Sequence, residues 1–330
     1  MKKAETMPPQ IIFGTAGFGM DRTEFQDAES VKAVLKTVQG LGIRRLDSGA
    51  RYPPLNPGRS EELIGETAEI SSAFAVDTKV YTDTRTDGSG DLTRDKIAKS
   101  TQGSLERLKR TEGGGINVLH IHRADPATPL EEQIRGFNEQ IELGHCKAWG
   151  VSNVPVPILS QMLSLCEQHN WRKPACYQGE YSIVSRGTET KLLPLLRAHG
   201  IRFNAFRSIA SGLLTGNAVS GHAAGTRFGA DNPLGGAMQR VFGAPDLTAA
   251  VKAFDAEARR RGTKPLEVAV RWIVHHSQLG DEDGVVLGAS RTAQIVEAVE
   301  FARKGPLDEA LLTLVDELWD AVKETRGDII

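Results

Sequence analysis

The sequence predicts an α/β chain folded as one single-domain (β/α)8 TIM barrel, and three observations lead there. Eight short β-branched or apolar runs recur along the 330 residues, most of them separated by a segment with helical period. A helical crossover returns the chain in the same direction, so such alternation demands parallel pairing. The rival, an open doubly wound sheet, is weakened because no strand-to-helix turn carries GxGxxG. GTAGFG (14–19) has the wrong spacing, and GGG (113–115) lies before a strand.

The elements follow in order. Residues 1–10 are expected to be a flexible N-terminus, and IIFGTAG (11–17) is the first strand. Val31, Val34, Leu35, Val38 and Leu41 then fall at i, i+3, i+4, i+7 and i+10, on one helical stripe. RRLDSGA (44–50) is the second strand, followed by a helix in SEELIGETAEI. FAVDTKVY (74–81) is the third, followed by RDKIAKSTQGSLERLKR. After INVLHIH (116–122), Thr128-Pro129-Leu130-Glu131 reads as a capping box with Pro at the first helical position, and its helix ends at Gly144. KAWGVSN (147–153), PACYQGEY (174–181), IRFNAF (201–206) and GVVLGAS (284–290) complete the strands. PILSQMLSLCEQHNW and ETKLLPLLRAHG are further helices, and Leu311, Leu314, Val315, Leu318 and Val322 form a final stripe. The longest irregular stretch, about 217–246, follows the seventh strand, and a loop of that length is usually functional.

Composition excludes several classes. A fraction of 40% hydrophobic and 25% charged residues is that of an ordinary globular protein. A net charge of -2 with interspersed signs leaves no basic stripe for a phosphate backbone, so no nucleic-acid partner is expected. No run of about 18 apolar residues occurs, so no membrane span is expected. Cys146, Cys166 and Cys176 are odd in number and lack CxxC spacing; they read as reduced thiols of a soluble, cytoplasmic protein.

Chemistry in a barrel of this kind sits at the C-terminal strand ends. Those ends carry Asp47, Lys79, His122, Ser152-Asn153 and Gln178. Charges so close to a core are costly unless paired, so Asp47 and Lys79 are expected to pair, either as a structural rim pair or as part of a site. Tyr52, one of four tyrosines, stands just past Asp47. A phenol with a reference pKa of about 10 is a poor acid at neutral pH. A nearby ammonium lowers that pKa and eases proton delivery, while Asp47 holds the ammonium in place and His122 orients a carbonyl oxygen. Such a group protonates an oxygen as a hydride reaches the attached carbon. His120 and His122 alternate like the HxH of metal hydrolases, but the ends of strands five to eight offer no further ligands, and no metal site is expected.

LDSGARY (46–52), SEELIG (60–65), TKV (78–80), LHIHRADPATPLEE (119–132), GVSN (150–153) and YQGEYS (177–182) together resemble the aldo-keto reductases. SGLLTG (211–216) and RWxxHHSQL (271–279) bring the likeness closest to the aflatoxin-aldehyde reductase branch. The resemblance runs from about residue 11 to 322. It implies that Tyr52 is the general acid, with Asp47, Lys79 and His122 completing a tetrad, and that NADP(H) lies across the barrel mouth without a Rossmann motif. Ser152, Asn153 and Gln178 would hydrogen-bond the nicotinamide carboxamide, and Asp47 would also border the cofactor. Phe206 stands where many relatives place a stacking tyrosine. Gly212, Leu213 and Gly216 would cover the diphosphate, Gly288 would also border the cofactor, and the adenosine 2′-phosphate would sit at the helix N-terminus where Ser290, Arg291 and Gln294 gather, a sound anion site. There an Arg favours NADP over NAD; the alternative is that Ser290 is merely an N-cap and Arg291 a solvated charge.

The sequence also departs from the pattern. Arg207 and Ser208 replace a small polar residue and a proline; Arg207 would reach the diphosphate or a substrate anion, or else crowd the site. Asn217 and Ala298 replace a lysine and an asparagine. Arg227, in the long loop, is a candidate contact for phosphate or an anionic substrate. The expected function is NADPH-dependent reduction of an aldehyde or ketone to an alcohol, on a small-molecule carbonyl substrate, in a chain whose branch suggests a homodimer. The alternatives are a biosynthetic alcohol dehydrogenase or double-bond reductase on the same fold, and a low-turnover NADP(H)-sensing regulatory subunit.

Overall fold

The computed structural model describes residues 7–83, 85–111, 115–224 and 226–329. Residues 1–6 of the N-terminus, Gly113 and Gly114 of the glycine run and Gly225 of the long loop lie outside them. The strands are β1 (Gln10–Gly14), β2 (Arg45–Asp47), β3 (Ala75–Lys79), β4 (Ile116–Ile121), β5 (Cys146–Ser152), β6 (Cys176–Glu180), β7 (Arg202–Phe206) and β8 (Gly284–Gly288). Each pairs in parallel with the next and β8 pairs back onto β1, closing a (β/α)8 barrel in sequence order. The predicted strand runs and the observed strands agree one for one.

The helices are α1 (Ala28–Gly40), α2 (Arg59–Glu66), α3 (Ala68–Ser71), α4 (Arg94–Arg107), α5 (Leu130–Glu142), α6 (Val156–His169), α7 (Thr188–Lys191), α8 (Leu193–Ala198), α9 (Gly235–Phe242), α10 (Pro245–Arg260), α11 (Pro265–His275), α12 (Thr292–Arg303) and α13 (Glu309–Arg326). The stripe of α1 buries Val31, Val34, Leu35 and Val38, and Asp27 caps it by accepting from the Ser30 N–H at 2.9 Å. Asp308 caps α13 in the same way, through the Leu311 N–H at 2.9 Å.

Two local expectations change. The capping box at Thr128 does not form: α5 begins at Leu130, and the Thr128 hydroxyl donates instead to Asp125 at 2.7 Å. The Asp125 carboxylate also accepts the amides of Gly90, Leu92 and Ala127, so it gathers the Thr128 side chain into a staple between the loops after β3 and β4. The stretch 217–246 is less irregular than its composition implies. It contains α9, and the buried rings of Phe228 and Phe242, 6.1 Å apart, tie it to the core.

Parallel register places paired residues on one face, so the two faces of the sheet can be read strand by strand. Phe13, Leu46, Val76, Leu119, Trp149, Val151, Tyr177, Phe203 and Val285 face the helices and are buried there. The opposite face, inside the barrel, is unusually polar. It carries Arg45 and Asp77 toward one end, paired at 2.7 Å, then Asp47, Lys79, His120, Cys176 and Gln178. The His120 ring nitrogen Nε2 lies 3.2 Å from the Cys176 Sγ, so that histidine is satisfied inside the core.

Candidate active site

Tyr52 reaches the barrel mouth from the loop that follows β2. Its N–H donates to the Gly49 carbonyl at 2.8 Å, which folds the ring back over the strand end. Gly49 gives that ring room, because a Cβ there would stand a tight 3.3 Å from two of its atoms. Behind the loop, the Ser60 hydroxyl meets those of Thr15 and Ser48 at 2.9 and 3.2 Å, bracing it against β1. Asp47 closes β2 and Lys79 closes β3, and both are buried. The Lys79 ammonium donates to Asp47 Oδ1 and to the Ser48 carbonyl, each at 2.7 Å, and lies 4.9 Å from the centre of the Tyr52 ring. His122, just past β4, sets its ring edge-on to that of Tyr52, with centroids 5.6 Å apart at 90°. The four residues expected to form a tetrad therefore meet around one space.

Their charge states follow from burial. Desolvation pushes the Tyr52 phenol above its ordinary value, and Asp47 adds to the shift. Lys79 opposes it through its charge and as a hydrogen-bond donor, without overcoming it. The expected fall in the phenol's pKa is thus reversed: the ammonium acts with the predicted sign, but loss of water around the oxygen outweighs it. Burial alone would lower the Lys79 pKa, yet the Asp47 carboxylate and Tyr52 raise it overall, so the amine stays charged. Burial first, and the Lys79 charge second, push His122 down to about 3. The imidazole is neutral at any ordinary pH, and its buried Nδ1 has no partner among the described residues.

Around this group stand the amides of Asn153 and Gln178. Gln178 Nε2 donates to Asp47 Oδ1 at 2.7 Å, and Asn153 Nδ2 donates to the His122 carbonyl at 2.9 Å and to Ser152 Oγ at 3.1 Å. Their donors are used, and no hydrogen bond from the described residues reaches their carbonyl oxygens. A ligand amide offering N–H groups would find acceptors there. Phe206 ends β7, half-buried, with its ring at the mouth. From Arg207 to Gly216 the backbone repeatedly takes positive φ, at Arg207, Ala210, Ser211, Gly212 and Gly216. Four N–H groups of the segment are used within it: those of Ala210, Gly212, Leu214 and Gly216 donate to the carbonyls of Arg207, Ile209 and Leu213. A Cβ on Gly212 would meet open space, whereas one on Gly216 would strike the Asp255 carboxylate, and the Leu213 side chain belongs to the core.

The outer residues divide. Arg207 is turned to Glu180, its Nη1 donating to Oε2 at 2.7 Å, and its guanidinium carbon lies 5.6 Å from the Phe206 ring centre. Arg227 is half-buried and has no ion pair or hydrogen bond among the described residues; burial pulls its pKa down, with Tyr52 and Arg207 close enough to act on it. Gly288 is exposed at the end of β8, and Ser290 and Arg291 lead into α12, where Arg291 rather than Ser290 is the N-cap residue. Gln294 reaches back to accept from the N–H groups of Ser290 and Arg291 at 2.8 and 3.1 Å.

Three participants were not singled out in the sequence. Glu180 follows Gln178 at the i+2 spacing of one strand face, a signal that would have found it. Arg326 and Glu24 approach from the last helix and the first loop, contacts of long sequence separation with no local signature.

The family model of the aldo/keto reductase family matches residues 10–320. The chain is 34% identical to the oxidoreductase sirO of Leptosphaeria maculans over 324 residues, 96% of this chain and 95% of that one. It is 28% identical to aflatoxin B1 aldehyde reductase member 2 of Mus musculus, over 95% and 85% of the two chains. It is also 29% identical to a putative voltage-gated potassium channel subunit beta of Schizosaccharomyces pombe, over 93% and 89%.

Proposed function

The chain belongs to the aldo/keto reductase family, and on that footing we propose that it reduces an aldehyde or ketone to an alcohol with NADP(H) as hydride carrier and Tyr52 as general acid. Carbonyl reduction is the family's general chemistry, and its oxidoreductase relatives carry the coarser assignment. The observation behind the finer one is the buried Asp47–Lys79 pair beneath a neutral phenol, with a neutral imidazole edge-on to it.

The residues present fit a nicotinamide dinucleotide at two of its parts. The open carbonyls of Asn153 and Gln178 suit a carboxamide, with the Phe206 face beside them, and the open space above Gly212 leaves room for a diphosphate. When bound, the nicotinamide supplies a hydride to the substrate carbon. The chain supplies everything else. Tyr52 holds its proton at neutral pH because burial raises its pKa, and gives it to the carbonyl oxygen as charge develops there. Lys79 is the cation beside the tyrosinate left behind, and Asp47 keeps Lys79 in place. His122, neutral at ordinary pH, offers a ring N–H to the same oxygen and repels no cation.

Purified protein should oxidise NADPH in the presence of a reactive aromatic aldehyde. Tyr52→Phe should lower kcat by about 10²–10⁴-fold and leave the NADPH dissociation constant within about twofold of the wild type. Full turnover in that variant rejects Tyr52 as the acid. Absence of NADPH binding by the wild type rejects the cofactor.

A further inference from the structure

The N-terminus of α12, offered above to an adenosine 2′-phosphate, is already furnished with acceptors by the chain itself. Gln294 Oε1 takes the N–H groups of Ser290 and Arg291, and the Gln294 N–H returns to the Arg291 carbonyl at 3.1 Å. The Thr292 N–H donates to Glu24 Oε2 at 2.8 Å. That carboxylate arrives from the loop between β1 and α1, 268 positions away in the chain.

The loop is built to deliver it. The Glu24 N–H donates to the Ser290 carbonyl at 2.9 Å, so backbone and side chain both grip the segment that leads into α12. The Thr23 hydroxyl bonds the carbonyls of Gly17 and Met20 at 2.8 and 2.9 Å, closing the turn before Glu24. Gly17 packs so near the same segment that a Cβ would stand 3.1 Å from the Ala289 carbonyl oxygen. An anion at a helix N-terminus is electrostatically favoured, and Glu24 holds that position.

Two cofactor forms meet this carboxylate differently. A 2′-phosphate is itself anionic, competes for the Thr292 N–H and gains repulsion from Glu24. A ribose 2′-hydroxyl is a neutral donor that a carboxylate can accept, the usual acidic recognition of the unphosphorylated dinucleotide. Arg291, exposed beside it and without a partner among the described residues, pulls the other way. We propose that Glu24 is a specificity-determining residue that penalises NADPH relative to NADH by occupying the N-terminus of α12 and its Thr292 N–H, beside which the 2′-phosphate would settle. The proposal rests on the reading that the dinucleotide lies across the barrel mouth with its adenosine at α12.

The test compares full-length wild type, Glu24→Gln and Glu24→Ala, with dissociation constants for NADPH and NADH from cofactor fluorescence. Calorimetry with adenosine 2′,5′-bisphosphate and with ADP isolates the adenosine end from any hydride chemistry. Both variants should bind NADPH and the bisphosphate about tenfold more tightly, while NADH and ADP bind no more tightly than before. Unchanged or weaker NADPH binding in both variants overturns the role of Glu24 and leaves the reductase reading standing. If the wild type binds neither dinucleotide, that reading falls and the specificity role falls with it.

Discussion

His122 shows how burial fixes a charge state that a residue name leaves open. An exposed imidazole changes charge near 6.5, but this one is held down to about 3, chiefly by desolvation. An unfolded chain takes up the proton as pH falls through 6.5, whereas the folded chain refuses it until about 3. Between those values the unfolded state binds more protons, so stability is complete above the upper value and declines as pH falls toward the lower. His122→Gln should therefore lose less stability than the wild type between pH 7 and 4.5, measured as the shift in urea midpoint. Equal shifts in the two proteins would show that the imidazole is not held neutral. Tyr52 obeys the same rule with the opposite charge type: its phenol stays protonated because the phenolate loses water that Lys79 does not replace in full.

At the scale of elements, one buried carboxylate joins three pieces of chain. Glu180, at the end of β6, accepts from Arg207 after β7 and, through Oε1, from Ser185 at 2.7 Å and Arg326 at 3.0 Å. Arg326 ends α13 and also donates to the carbonyls of Val184 and Val241 at 2.6 and 3.2 Å. The Phe242 ring is close to both guanidinium groups, 5.7 Å from that of Arg207 and 5.1 Å from that of Arg326. The last helix is thereby locked to the strand ends that border the mouth. Arg326→Ala strips one cation from a buried network and leaves two carbonyls short of a donor. It should destabilise the protein by about 3–5 kcal/mol, read from denaturant unfolding monitored by circular dichroism. A loss below about 1 kcal/mol would mean that the cluster behaves like a solvated surface pair.

The whole molecule depends on closure. β1 is hydrogen-bonded on both sides, to β2 and to β8, and its Ile12 and Phe13 are fully buried. Deleting residues 10–14 would leave two exposed strand edges and remove one wall of the site. The truncated chain should lack a cooperative thermal transition and NADPH binding; a native-like melt would show that the barrel closes without β1. Closure also explains the polar interior. With apolar residues committed to the helix-facing side, the inner face is free to carry Asp47, Lys79 and Gln178 to one end, where paired charges are tolerated close to water. No described helix is long and apolar enough to cross a membrane.

Strand order, helix stripes and the residue types at strand ends were legible along the chain, because they follow from local periodicity and from where strands stop. RRLDSGA and FAVDTKVY by themselves place Asp47 and Lys79 at neighbouring ends of a parallel sheet. Three-dimensional packing decided the rest: Asp125 capturing Thr128, Glu180 holding Arg207, the phenol's pKa rising rather than falling, and Glu24 docked on α12. Each depends on a distance between segments remote in sequence, or on how much water remains around a charged atom. Residue order encodes neither quantity until the chain has closed.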